Sequence, residues 1–336
     1  QCLSFAGPTV CNSGFPWVGD KIVVWDRETK AVLWEWDTFE NYSTDDYDGV
    51  YYYDGVYGGT WANAIALFKY DWTHVNAITY STDEDAIYIS CRHLSRITKI
   101  HFDIDDYNDS SNGNIIWNIG QDMPSGEVDC GDDLHFSWQH SVTALDNGNI
   151  VTLDNGNLSD DFNGAPALSR AIEINPNYNG NTCDAVIVWE YVLPEELFGH
   201  ASGGVQKLDN GNYLISTVGG EGTTLEVSSG MVYPEMVWEA NYNLNLGLIH
   251  RAYRVSSLYP VVVSATVEGL TTINESPGVY VPTDNGEVKF TIHNNGSMDE
   301  NFNYVLSSEN NGDWYNNIEG SVFVESHSSA EISVFG

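Results

Sequence analysis

A hairpin motif recurs along the chain, and it decides what kind of fold is available. One copy reads Ser141-Val-Thr-Ala-Leu-Asp-Asn-Gly-Asn-Ile-Val-Thr152 and a second reads Gly204-Val-Gln-Lys-Leu-Asp-Asn-Gly-Asn-Tyr-Leu-Ile-Ser216. A looser copy runs from Val75 to Ser90 around Asp83-Glu-Asp85. In each, β-branched and apolar residues flank a short polar turn, the pattern of two paired strands. Asn-Gly predicts a tight hairpin because it supplies the positive φ angles such a turn needs. A Trp-bearing strand closes each unit, at Ala31–Trp36, Asn114–Asn118, Ala185–Glu190 and Met236–Glu239. No window of useful length shows the 3.6-residue period of an amphipathic helix. The chain is therefore expected to be all-β. Residues 1–258 read as a β-propeller with four to five traceable blades, whose short inner strands line a channel.

Residues 261–336 change character. Short alternating strands at 261–267, 288–292, 302–306 and 322–324, with turns at Asn294-Asn-Gly296 and Asn310-Asn-Gly312, predict a small immunoglobulin-like β-sandwich. Its expected role is a spacer or surface attachment, in a form cut short at its end. Gln1 in place of an initiator Met suggests a processed or truncated chain.

Charge narrows the function classes. The chain carries 12 Lys and Arg against 48 Asp and Glu, a formal net charge of -36. Nucleic acid, whose phosphates are neutralised by basic side chains, is excluded as a partner. An anionic membrane surface is excluded on the same ground. No apolar run reaches the roughly 18 residues of a spanning helix. The acidic stretches Asp103-Ile-Asp-Asp106 and 45–54 offer oxygen ligands for divalent cations but lack ordered calcium-loop spacing, so a solvated acidic face is the simpler reading. The five cysteines, Cys2, Cys11, Cys91, Cys130 and Cys183, show neither zinc-ligand nor CxxC spacing. No metal and no cofactor is expected. In a secreted, periplasmic or cell-surface protein Cys2 can pair with Cys11 and Cys130 with Cys183, leaving Cys91 as the odd thiol.

Against this acidity, four basic residues stand at the heads of successive strand units: His74 in Asp71-Trp-Thr-His-Val-Asn76, His140 in Trp138-Gln-His-Ser141, Arg170 in Leu168-Ser-Arg-Ala171, and His200 in Gly199-His-Ala-Ser202. A lone histidine in a β-protein is usually a hydrogen-bonded structural residue, and a lone arginine usually an ion-pair partner. Recurrence in register argues instead for one shared anion site at the channel mouth. Asn76, Arg92, Gln139 and Asn155, in the same segments, are candidates for substrate binding. His93, His101, His135, His250, His293 and His327 lack the register and read as structural.

The segments Asp71–Asn76, Ile89-Ser-Cys-Arg92, Ile115-Ile-Trp-Asn-Ile-Gly120, Gln139-His140, Leu153-Asp-Asn-Gly156 with Ser169-Arg170, and Tyr253-Arg-Val-Ser-Ser-Leu-Tyr259 together resemble the bacterial aryl-sulfate sulfotransferases, in matching order over about 240 residues. The resemblance implies a six-bladed propeller that moves a sulfuryl group from a phenolic sulfate ester to an acceptor phenol, without a nucleotide donor and through a sulfo-histidine. By motif order it makes His200 the nucleophile and His74, His140 and Arg170 the supporting residues. Two other readings stay open. One is a non-catalytic adhesin, surface-layer or fibre component that forms a homo-oligomer or an extracellular assembly. The other is a propeller lyase acting on acidic polysaccharide.

Overall fold

A computed structural model of the chain describes residues 2–3, 10–11, 16–47, 69–230, 233–244, 249–255, 261–273, 276–279, 286–306 and 318–335. Residues 48–54 of the acidic stretches, 256–259 of the last motif and the Asn310–Gly312 turn lie outside the described residues. The chain divides into two compact units, Gln1–Arg254 and Val255–Gly336.

The first unit is all-β. β1 (Cys2–Leu3) pairs with β2 (Val10–Cys11), Cys2 opposite Cys11 in register. β3 (Trp17–Val18) precedes the hairpin of β4 (Lys21–Trp25) and β5 (Val32–Asp37), and pairs in parallel with β6 (Tyr70–Asp71). Three four-stranded antiparallel meanders follow: β7 (Val75–Ser81) to β10 (Ile115–Gly120) through β8 (Ala86–Cys91) and β9 (Arg96–His101); β11 (His140–Ala144) to β14 (Val186–Val192) through β12 (Ile150–Asp154) and β13 (Arg170–Asn175); and β15 (Gly204–Lys207) to β18 (Met236–Asn241) through β16 (Tyr213–Thr217) and β17 (Thr223–Val227). Helical structure among the described residues is confined to short turns such as Thr38–Asn41, Arg92–Leu94 and Ser159–Asn163.

The period-two alternation of strand side chains explains how these sheets stack. β8 is buried along its whole length. Ala86 and Tyr88 face the core shared with Val142 and Ile150 of the next sheet, while Ile87, Ile89 and Cys91 face a second core with Trp36 and Tyr42. β12 repeats the arrangement: Ile150 belongs to the first core, and Val151 and Leu153 pack with Val205 and Ile215 in a third. Each such Ile, Leu or Val contributes about 1.5–3 kcal/mol by leaving water. A disulfide joins Cys130 and Cys183, and Cys91 is a buried free thiol whose pKa burial pushes up to about 12.

The Asp-Asn-Gly turns differ from the sequence expectation in one respect. Only the glycines, Gly148 at φ 80° and Gly211 at φ 86°, are left-handed, and Asn147 and Asn210 are not. Gly148 N donates to Leu145 O at 2.9 Å and Leu145 N to Asn149 O at 2.8 Å, with the same pair of bonds at Leu208, Gly211 and Asn212. The loop is thus three residues long with a bulge at its glycine, the other common hairpin solution. The extra residue relieves asparagine of the positive φ that a two-residue turn imposes on it.

The second unit comprises a sheet of β19 (Val263–Val267), β22 (Glu287–Asn294) and β25 (Ser328–Phe335), with pairs β20 (Leu270–Ile273) with β21 (Ser276–Val279) and β23 (Glu300–Leu306) with β24 (Ile318–Val324). β22 alternates strictly, and its Phe290 and Ile292 share a core with Phe302, Val324, Ile332 and Val334.

Candidate active site

The first strands of the three large sheets, β7, β11 and β15, lie side by side. The candidate histidines sit at or just before those strands. Each of their loops contains a non-glycine residue in the left-handed region: His74 at φ 48°, Trp138 at 51° and Ser141 at 68° around His140, and Ser202 at 54° after His200. Such residues are held there only by surrounding contacts.

The contacts that hold His74 are explicit. The Asp20 carboxylate accepts from Thr73 Oγ1 at 2.6 Å and from Val75 N at 2.8 Å, fixing the backbone on both sides of the ring. His74 Nδ1 lies 2.5 Å from Asp71 Oδ2. A carboxylate only accepts, so Nδ1 carries a proton in this bond. Burial pushes the Asp71 pKa up, but the His74 hydrogen bond and the charges of His74, His93 and Arg92 outweigh it and leave the carboxyl below its usual range.

His93, excluded by register in the sequence, belongs to this group. It lies on the turn after β8, its ring centroid 4.6 Å from that of His74 and its Nδ1 2.7 Å from Asp71 O. Burial, with the charges of Arg92 and His74, holds its pKa well below the ordinary value, so the ring is neutral. Arg92 spreads its guanidinium over the Trp138 ring at 3.9 Å.

His140 is buried, and its Nδ1 faces the carbonyl of Trp138 at 3.1 Å and Asn155 Oδ1 at 2.8 Å. The orientation of the Asn155 amide is settled by its Nδ2, which donates to Gly199 O at 2.5 Å and Ser202 O at 3.2 Å. His140 Nδ1 therefore carries the proton and Nε2 presents a lone pair. Burial, reinforced by the charges of Arg92 and His74, lowers its pKa to about 3. Asn157 Nδ2 donates to His200 O at 3.2 Å. The His200 loop is thus tied to the two asparagines that follow β12.

The other expected residues take distinct places. Asn76 Nδ2 donates to Gln139 O at 2.7 Å. Gln139 is fully buried, its Nε2 donating to Ser90 Oγ, Cys91 O and Arg96 O. Gln139 and Asn155 therefore position backbone and ring rather than present their amides to a ligand. Arg170 departs most from expectation. Its Nε donates to Asp154 Oδ2 at 2.7 Å, Nη1 to Glu190 at 2.7 Å, and Nη2 to the carbonyl of Leu134. Asp154 also accepts from Ser137 N and Gly156 N. Every nitrogen of this guanidinium is engaged in clamping the turn after β12, so Arg170 is a structural residue here.

A cation that the sequence reading passed over, Arg251, does reach the group, donating through Nη2 to Asn76 O at 2.5 Å. Asp71, His74 and His93 each bring one ligand atom to within 4.8 Å of the others, a set that could hold a divalent cation. Chemically, the site offers two neutral imidazoles with accepting Nε2 atoms, a carboxylate-backed His74, and guanidinium groups.

The arylsulfotransferase (ASST) family model matches residues 8–244. No curated protein matches the chain. Among solved structures, a "putative 6-phosphogluconolactonase" from Bacteroides fragilis NCTC 9343 is 7% identical with a TM-score of 0.34, covering 78% of this chain and 58% of that one. The chain thus spans 58% of the length of that protein. A second protein so described, from Bacteroides uniformis ATCC 8492, is 11% identical with a TM-score of 0.35, covering 94% and 81%. A protein of unknown function from Bacteroides caccae is 13% identical with a TM-score of 0.27, covering 92% and 87%. These similarities are too low to transfer anything to this chain.

Proposed function

Because the chain belongs to the arylsulfotransferase family, we propose that it transfers a sulfuryl group from a phenolic sulfate ester to an acceptor phenol, through a histidine intermediate. A ring nitrogen of His200, the residue that motif order makes the nucleophile, attacks sulfur with its lone pair. The bond from sulfur to the phenolic oxygen breaks, and the electron pair leaves on the phenolate. His74 in its imidazolium form, its Nδ1 held by Asp71, gives its Nε2 proton to that phenolate and is left neutral. In the second half the acceptor phenol returns a proton to His74 and its oxygen attacks sulfur, freeing His200. His140, whose Nε2 accepts, orients the incoming hydroxyl.

The observation that carries this reading is Asn155, which holds the His140 ring with one end of its amide and the His200 loop with the other. The ring that orients the acceptor and the loop that carries the nucleophile are thereby held by a single side chain. In this reading the stacked four-stranded sheets are propeller blades and residues 255–336 form an immunoglobulin-like spacer. The Cys130–Cys183 disulfide supports a location outside the cytoplasm.

The test is release of phenol from a chromogenic aryl sulfate, with and without added phenol, in the wild type and in His200→Asn. Phenol-stimulated release in the wild type alone supports the reading. A folded wild type that releases nothing would overturn it in favour of a surface or fibre component.

A further inference from the structure

The chain has 12 cationic side chains against 48 carboxylates, and of the described ones that lack an acid partner Arg27, Lys30 and Lys69 are exposed while Arg251 is half-buried. Arg96 pairs with Asp46, Arg170 with Asp154 and Glu190, and Arg254 with Glu226; Lys21, Lys99, Lys207 and Lys289 each have a glutamate. Arg251 makes no ion pair among the described residues. Among the described residues it meets neutral acceptors, Asn76 O through Nη2 at 2.5 Å and Tyr253 OH through Nη1 at 3.5 Å. Its Nε is buried without a partner.

The surroundings of this side chain are those of the candidate site. Asn76 follows His74 by two residues. A Cβ added at Gly204, four residues after His200, would stand 3.6 Å from Arg251 Cγ and 3.2 Å from Cβ of Ser141, the residue after His140. Arg251 therefore lies against Asn76 and Gly204, shortly after two of the candidate histidines, and Gly204 in turn lies against Ser141, next to the third. Its backbone is fixed there by bonds to β15 and β16: Gly203 N to His250 O at 2.8 Å, Ala252 N to Ser216 Oγ at 3.3 Å, and a reciprocal pair between Arg254 and the Gln206 amide at 2.8 and 3.0 Å. The next arginine, Arg254, is engaged by Glu226, so the two divide the work of packing and of presenting charge.

We propose that Arg251 binds the sulfonate oxygens of the substrate, the role that chain position had assigned to Arg170. This rests on the sulfuryl-transfer reading above. A planar guanidinium with uncommitted N–H groups matches two oxygens of a sulfonate, and no carboxylate among the described residues competes for its charge. The unpartnered Nε is a donor already stripped of water, which a bound oxygen would satisfy.

The experiment uses the full chain and benzenesulfonate, whose carbon–sulfur bond does not transfer, so that binding is read apart from turnover. Isothermal titration of wild type, Arg251→Gln and Arg251→Lys should show affinity falling about 10- to 100-fold in Arg251→Gln, with Arg251→Lys between the two. Near-UV circular dichroism checks that each variant is folded. Should Gln unfold the chain, Lys carries the test, since it keeps the charge and loses the fork. Wild-type affinity in the folded variant overturns the assignment while leaving sulfuryl transfer standing. Loss of sulfonate binding in a protein that shows no phenol-stimulated transfer keeps Arg251 as an anion-binding residue and sinks the transfer reading. Absence of sulfonate binding in the wild type overturns the assignment outright.

Discussion

Asn155 accepts the Nδ1 proton of His140 at 2.8 Å, and the same amide donates to the carbonyl of Gly199, next to His200. One side chain on the turn after β12 thus sets the tautomer of one ring and the position of the loop carrying another. Asn155→Ala would leave the His140 donor and the Gly199 carbonyl without this partner, at about 1–3 kcal/mol of stability. Transfer should fall more than stability does. Urea unfolding and phenol-stimulated release on the same samples separate the two, and unchanged kcat in a folded variant would refute the positioning role.

The neutrality of His140 has a signature in pH. An unfolded chain protonates this ring below about pH 6.5, whereas the folded site resists until about 3. The folded state binds fewer protons across that window. Stability should therefore be at its full value above pH 6.5 and fall as pH drops, with a slope approaching about 1.4 kcal/mol per pH unit for this ring. His93, held neutral by burial, adds to the slope in the same direction. Asp71, held low, adds a loss in the same direction but at lower pH, below about pH 4. Urea unfolding at pH 7.5 and 5.5 measures the slope, and His140→Gln should flatten it.

Arg170→Gln is expected to act on folding. It leaves the buried Asp154 carboxylate without its cation, which costs about 3–5 kcal/mol. Adding Asp154→Asn should recover part of that loss, because the uncompensated charge is then gone. A single variant that keeps wild-type stability but loses sulfonate affinity would return Arg170 to the binding site.

The thiols give a further check. Reducing the Cys130–Cys183 bridge, which closes a sequence separation of 53 residues, should lower stability by about 4 kcal/mol on the chain-entropy view. Cys91, buried and with its pKa near 12, should resist a thiol reagent in the native state and react on unfolding. Rapid native labelling of Cys91 would contradict its burial.

The hairpins were legible in the sequence because alternation and the Asp-Asn-Gly turn are local signals. Their turn type was not, since it depends on how many residues the ladder leaves unpaired. His74, His140 and His200 stood out in the sequence because each stands at the head of a strand unit, which is a positional property. Arg170 shares that position, yet its role is decided by Asp154 and Leu134, which chain order does not place beside it. His93 escaped because it follows the end of a second strand, on a turn whose direction depends on the pairing of β8 with β7. Arg251 is 175 residues from Asn76, and only the tertiary fold brings them together.

The double-sided burial of β8 and β12 has a mechanical consequence. Each is a party wall: Ile87 and Tyr88 are neighbours in sequence but members of different cores. Damage on one side of such a wall is transmitted to the other, and the sheets of the first unit cannot come apart one at a time. The loops bearing His74 and His140, anchored to this shared masonry, should keep their geometry up to the point at which the whole stack gives way.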